Sequence, residues 1–262
     1  MYFGMMRPEG ILAVVDAKKG NEMAVGILLA GGVGQRMGAS VPKQFLEVDG
    51  KPIICYPLSI MEKHPLIEAI EIVCVESFID GMWDIVREYG FSKVKWITPG
   101  GATCQASTWN GIRNLKGKIA DDEIILIHMA SYPLANADIM TGCIESAIRN
   151  GNGCTARPIL YSVFFTNDRK TTTEQIDRDK LMLCSVPYAF RFGECYDLYE
   201  QAFREGKGIS GNVYTNTLYC DFGKTVYFIN DSESNIKVTT PEDIWMMETL
   251  LKMMEKNGEA IF

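Results

Sequence analysis

Four short apolar runs, rich in β-branched residues, alternate with four longer amphipathic stretches in the first part of this chain. The runs cover residues 24–30, 69–75, 93–97 and 123–128. The stretches cover 53–63, 78–89, 103–115 and 137–149. Near-continuous apolar runs read as strands buried on both faces, which is the condition of parallel sheets. Repetition of strand and helix then implies right-handed crossovers that lay helices on both faces of one sheet. The expected fold class is α/β, with a Rossmann-like, mainly parallel, doubly wound sheet. Ligands of such sheets bind beyond the carboxyl ends of the strands.

The pattern changes after about Thr155. Residues 161–178 are polar, include Thr171-Thr172-Thr173 and show no helical period. A disordered loop is one reading. The strand-like runs on either side also suit a β-arm projecting from the domain at about 160–182. Regular structure is expected again at 181–187, in a helix near 194–204 and in a strand at 225–229. A last helix is expected to start at Thr240-Pro241-Glu242-Asp243. Thr240 suits the N-cap, Pro241 the first helical position, and the two acids the positive end of the helix dipole. Residues 1–22 read as an N-terminal extension and 23–262 as one domain, with no internal repeat or clear linker.

Composition mainly excludes. Lysine and arginine total 26 against 33 acids, a net charge of -7. Nucleic-acid binding rests on clustered cations, so it is not expected as the main role. With only His64 and His128, one chain cannot build a three-histidine zinc site. No two of the eight cysteines form C-x-x-C, which points to free thiols in a reducing cytoplasm. No apolar run approaches the ~20 residues that span a bilayer, so no membrane partner is expected.

The most informative segment follows the first strand directly: Ala30-Gly31-Gly32-Val33-Gly34-Gln35-Arg36-Met37-Gly38, then Pro42-Lys43-Gln44-Phe45. Glycines let backbone amides approach phosphate oxygens closely. The dinucleotide fingerprint G-x-G-x-x-G fails at Met37, which disfavours a dinucleotide-dependent oxidoreductase. The P-loop fails because no Gly-Lys pair occurs here. What remains is a glycine loop with a guanidinium, Arg36, and an ammonium, Lys43, both suited to a polyphosphate. An ordinary glycine turn with two solvated cations would read the same on spacing alone.

This combined loop resembles the signature of the cytidylyltransferases that act on polyol phosphates, such as 2-C-methyl-D-erythritol 4-phosphate and ribitol 5-phosphate. The resemblance continues in Gly50-Lys51-Pro52-Ile53, Gly100-Gly101, Ser107, Asn110-Gly111, Ile176-Asp177-Arg178 and Asn235-Ile236-Lys237-Val238-Thr239, and spans about residues 24–251. It implies a nucleotidyltransferase fold and a reaction in which the acceptor's phosphate oxygen attacks the α-phosphorus of CTP. The substrates would be CTP and a small phosphorylated polyol, the cofactor Mg²⁺, and the assembly a homodimer through the arm. A phosphate monoester has a second pKa of about 6, so the nucleophile arrives ionised and needs no histidine base. By the motif match Ala30, Gly31, Gly32 and Gly34 would line the triphosphate, while Gly100 and Ser107 would hold the cytosine. Arg36, Lys43 and Lys237 would be the catalytic cations. Arg178, with Ser162 and Ser210, would bind the acceptor, Arg178 by reaching across to the partner copy.

Departures from the family pattern cluster in one region. The family's His-Asp-Ala-Ala-Arg-Pro is His128-Met129-Ala130-Ser131-Tyr132-Pro133 here. Met129 thus replaces the carboxylate expected to help hold the metal, and a thioether is a poor ligand for magnesium. Cys104 and Ala106 replace two charged residues, and Tyr188 replaces a glutamine. Two readings follow: an enzyme whose acceptor pocket is reshaped by Tyr132 and Tyr188, or a catalytically impaired homologue that binds nucleotide or a partner protein. The run 45–53 is slightly closer to the ribitol branch of the family.

Overall fold

A computed structural model describes residues 23–32, 42–209, 214–259 and 261–262. The expected N-terminal extension at 1–22 lies outside the described residues. So do Gly34, Arg36 and Met37 of the glycine loop, and Ser210.

Strand β1 (Ala24–Ala30) is buried along its whole length, as its unbroken apolar sequence requires. It pairs in parallel with β4 (Ile67–Cys74) on one side and β6 (Ile124–Met129) on the other. β5 (Val94–Pro99) extends the sheet beyond β4. On the β6 side stand β10 (Met182–Arg191), β7 (Asn152–Pro158) and β11 (Phe228–Asn230), giving the order β11-β7-β10-β6-β1-β4-β5. β10 runs antiparallel to both of its neighbours, and every other pair is parallel. A two-stranded ribbon, β2 (Glu47–Val48) and β3 (Lys51–Pro52), follows the glycine segment.

Alternate residues of β1 serve two cores. Ala24 and Leu28 face helices α1 (Cys55–Lys63), α2 (Ile79–Tyr89) and α4 (Ala137–Asn150), through Leu58, Met82 and Ile144. Val25, Ile27 and Leu29 face α3 (Cys104–Leu115), α5 (Phe192–Glu205) and α6 (Thr215–Asp221), through Ile112, Leu198 and Leu218. Gly111 allows α3 to approach this closely: a Cβ there would stand 2.8 Å from Val73 and 3.1 Å from Ile27. The last helix, α7 (Pro241–Lys256), buries Met247 with Val48, Ile53 and Val238 in a third cluster. Its Thr240 cap is as expected, and the Asp243 carboxylate accepts from the amides of Thr239 and Thr240 at 2.7 and 2.8 Å.

The polar excursion is a hairpin. β8 (Val163–Phe165) and β9 (Glu174–Ile176) pair antiparallel between the ends of β7 and β10. Three features differ from the expectation. β10 continues through Pro187 to Arg191, because Pro187 falls where the β10 to β7 register shifts and no ladder N–H is needed there. β7 carries Gly153 and Pro158, which hide it from an apolar-run search. The strand expected at 225–229 is confined to Phe228–Asn230.

Candidate active site

The parallel strands β1 and β6 end side by side, Leu29 opposite Met129. A cleft of about 380 Å³ opens beyond them. Ala30, Gly31 and Gly32 form one wall, residues 101–104 and Ser107 a second, and Lys43 and Lys237 stand at the rim. This is the place the strand order assigns to a ligand.

Gly31, Gly100 and Ser107 meet behind the first wall. A Cβ on Gly31 would lie 3.3 Å from Ser107 Oγ, and one on Gly100 only 3.2 Å from the same atom. Ser107, almost fully buried, accepts a hydrogen bond from the Gly101 amide at 3.0 Å and donates to the Gly101 carbonyl at 3.3 Å. Gly101 has no room for a side chain, since a Cβ would lie 2.5 Å from that of Ala106. These contacts hold the β5 to α3 turn against the glycine segment, and Thr103 caps α3 by accepting from Ala106 N at 3.1 Å.

The two cations come from distant segments. Lys43 Nζ donates to the carbonyl of Val238 at 2.7 Å. Next to it the buried Gln44 donates from its amide to Ala30 O at 2.5 Å, tying the Pro-Lys-Gln-Phe segment to the end of β1. Lys237 Nζ stands 5.6 Å from the centroid of the Tyr132 ring. Cys104 also lines the cleft. Burial pushes its thiol pKa up, while Lys237 and a hydrogen bond with Thr108 pull the other way, and the net direction is up.

Met129 lies where the sequence comparison placed it, 8% exposed and facing the cleft. The turn after it is fixed by Tyr132 N donating to Met129 O at 2.9 Å, and by the His128 ring, whose Nε2 is 2.8 Å from Tyr132 O. A carbonyl can only accept, so Nε2 carries the proton. Burial lowers the His128 pKa to about 4, which leaves a neutral, structural imidazole rather than a base for the reaction. No carboxylate lines the cleft among the described residues, and no cluster of metal-ligating side chains occurs among them. Among the described residues, the side chains that line the cleft do not fit a protein-held magnesium ion, a hard cation that prefers carboxylates.

A second, smaller cavity of about 110 Å³ shares Met129, Tyr214 and Lys237 with the first. Tyr132, Cys184, Ser185, Val186, Tyr188 and Asn216 complete it. Burial pushes the Tyr132 hydroxyl up to about 12, so it stays protonated and able to donate. Tyr188 is fully buried, and its side chain lines this cavity.

The structure thus brings Ala30, Gly31, Gly32, Ser107, Lys43 and Lys237 to one cleft, with Gly100 packed directly behind it. Arg178 and Ser162 line neither cavity of their own chain. Arg178 sits at the foot of the hairpin, donating to Leu160 O at 2.6 Å, and Ser162 is exposed. The sequence reading missed Tyr214 and Asn216, which border the α6 start; nothing in their local sequence marks them as site residues.

Comparison with known proteins agrees with this architecture. The family described as 2-C-methyl-D-erythritol 4-phosphate cytidylyltransferase (IspD) matches residues 24–253. A ribitol-5-phosphate cytidylyltransferase of Lacticaseibacillus paracasei is 38% identical over 233 residues, covering 89% of this chain and 100% of that protein. A 2-C-methyl-D-erythritol 4-phosphate cytidylyltransferase of Clostridium botulinum is 33% identical over 228 residues, covering 87% and 97%. The crystal structure of a 4-diphosphocytidyl-2C-methyl-D-erythritol synthase from Anaerococcus prevotii superposes with a TM-score of 0.74 at 23% identity, over 88% of this chain and 96% of that one, which shows the shared fold. The chain is a nucleotidyltransferase and belongs to the polyol-phosphate cytidylyltransferase family.

Proposed function

We propose that this enzyme transfers CMP from CTP to ribitol 5-phosphate and releases pyrophosphate. The observation that carries the chemistry is the meeting of Lys43 and Lys237 at one cleft beyond β1 and β6, with no acid lining it among the described residues. A phosphate oxygen of the acceptor attacks the α-phosphorus, a new P–O bond forms, and the bond to the β-phosphate oxygen breaks with its electron pair leaving on pyrophosphate. The attacking oxygen is already an anion at neutral pH. The protein's task is to align two anions and to stabilise charge as it moves to the leaving group. Lys43 and Lys237 supply positive charge at the rim, Arg36 adds a guanidinium from the glycine loop, and the amides of residues 31–32 face the phosphates. Gly100 and Ser107 shape the base-binding wall. A magnesium ion would enter with the triphosphate rather than on a side chain of the cleft's described residues.

The second cavity suits the acceptor. It adjoins the cleft at Lys237, and the hydroxyls of Tyr132 and Tyr188 and the Asn216 amide are groups that hydrogen-bond a polyol. Sequence similarity favours ribitol 5-phosphate, since the relative carrying that name is 38% identical and the 2-C-methyl-D-erythritol 4-phosphate enzyme is 33% identical. The assembly we propose is a homodimer through the β8–β9 hairpin, whose Tyr161, Phe164 and Phe165 are exposed and apolar. Arg178 and Ser162 would then serve the partner's acceptor site. The test of acceptor choice is a competition: CTP with equal ribitol 5-phosphate and 2-C-methyl-D-erythritol 4-phosphate, products resolved by mass. CDP-ribitol should dominate; a dominant CDP-methylerythritol product would reject the assignment.

A further inference from the structure

The two cations of the cleft stand on different segments, and a single irregular strip joins them. Residues 235–238 run between β11 and α7 with no ladder of their own. They carry Lys237, and the Val238 carbonyl receives Lys43 Nζ at 2.7 Å. The position of the Lys237 ammonium therefore depends on what holds this strip. At one end Val238 N donates to Ser131 O at 2.8 Å. At the other end Asn235, 3% exposed, donates from Nδ2 to Val186 O and to Asp231 Oδ1, both at 2.8 Å.

Asp231 is the junction of this second anchor. Its backbone amide donates to Ala156 O at 3.1 Å, at the edge of β7. Its Oδ1 also accepts from Ser232 N at 2.8 Å, and its Oδ2 accepts from Ser185 Oγ at 2.7 Å. Ser185 belongs to β10 and lines the second cavity, whereas Asp231 lines neither cavity. One carboxylate thus joins the wall of the acceptor cavity to the strip that bears Lys237. Hydrogen bonds to a carboxylate are shorter and stronger than neutral ones, and they fix geometry.

We propose that Asp231 is a positioning residue for CMP transfer: it sets where Lys237 Nζ stands, without touching substrate. This rests on the reading that Lys237 acts at the reacting phosphates. Misplacement of a reacting or stabilising group by about 1 Å costs on the order of 100-fold in rate. The effect belongs in kcat, because the glycine segment and Lys43 still bind CTP when the strip loosens. Both carboxylate oxygens are already taken by protein donors, which separates this role from that of a metal ligand. An asparagine can reproduce the geometry: its oxygen accepts from Asn235 and Ser232, and its amide donates to Ser185 Oγ.

The test measures kcat and the CTP KM of the full-length protein, together with its melting temperature. It uses Asp231→Asn, Asp231→Ala, Ser185→Ala, Lys237→Ala and the double variant Asp231→Ala/Lys237→Ala. Asp231→Asn should stay within about threefold of the parent kcat. Asp231→Ala should lose at least about tenfold in kcat with CTP KM changed less than about threefold, and Ser185→Ala should lose about two- to fivefold. The double variant should be no more than about twofold slower than Lys237→Ala, because the lost interaction acts through Lys237. An unchanged kcat in Asp231→Ala beside an inactive Lys237→Ala would overturn the proposal. So would losses that multiply in the double variant, or an Asp231→Asn as damaged as the alanine. If Asp231→Ala does not fold, an unchanged kcat in Ser185→Ala overturns it instead. Full activity in Lys237→Ala would reject the underlying reading of the cleft, and the proposal with it.

Discussion

Lys43, His128 and Met129 show how differently three residues of one site can be read. Lys43 donates to Val238 O and lines the cleft, so its charge is placed where the proposed phosphate would lie. Lys43→Ala should lower kcat/KM for CTP by about 100-fold or more, roughly 3 kcal/mol of transition-state stabilisation, as seen when a preorganised donor is removed. By the family resemblance, Met129 stands where a carboxylate would be expected. Titration of magnesium into the nucleotide-free protein should therefore give no binding heat, and Met129→Asp should create a measurable site; strong magnesium binding by the unaltered protein would refute this. Motif offset made Lys43 and Lys237 legible from sequence, because both stand at fixed distances from recognisable neighbours. Tyr188 was legible as a substitution. Tyr214, Asn216 and Asp231 were not, since each acquires its role only from what the fold sets against it. Arg36, Gly34 and Ser210 keep the roles implied by resemblance, as part of the proposal for the cleft.

At the scale of elements, the central strands were legible because β1, β4 and β6 are apolar on both faces, a direct consequence of helices on both sides. β7 was not, because Gly153, Asn152 and Pro158 dilute its apolar character, and α6 is only seven residues long, too short for a periodic signal. Glu71 ties three elements together. Fully buried on β4, it accepts from Thr98 of β5 at 2.5 Å and from Asn114 of α3 at 3.0 Å, and its second oxygen has no partner. Burial raises its pKa from 4.5 to about 7, against the pull of those two hydrogen bonds. The folded state thus favours the protonated acid, and this group's contribution falls as pH rises from 4.5 towards 7. His128 acts in the opposite sense. Its pKa is lowered from 6.5 to about 4, so the unfolded chain takes up the proton first and stability falls as pH drops from 6.5 towards 4. The two slopes oppose one another across that range, each at most about 1.4 kcal/mol per pH unit. Glu71→Gln should therefore unmask a net rise in stability between pH 4.5 and 6.5, measured by urea unfolding; an unchanged or falling profile would contradict the assignment.

For the whole molecule, the apolar hairpin and the two-walled cleft make one connected prediction. A surface bearing exposed Phe164 and Phe165 is suited to burial against a second copy. The double substitution Phe164→Asp/Phe165→Asp should convert a dimer to a monomer by light scattering and reduce turnover, while CTP binding persists. An unaltered particle mass would remove the hairpin from the interface. Among the described residues no helix is long and apolar enough to cross a membrane. The central claim is that the cations gathered beyond β1 and β6 carry CMP transfer to a polyol phosphate. Initial-rate measurement of pyrophosphate release from CTP and ribitol 5-phosphate tests it most directly, on the parent protein and on Lys43→Ala and Lys237→Ala. The expected result is steady turnover in the parent and a loss of about 100-fold or more in each variant. Folded parent protein that binds CTP yet releases no pyrophosphate, or variants that turn over at the parent rate, would contradict the account.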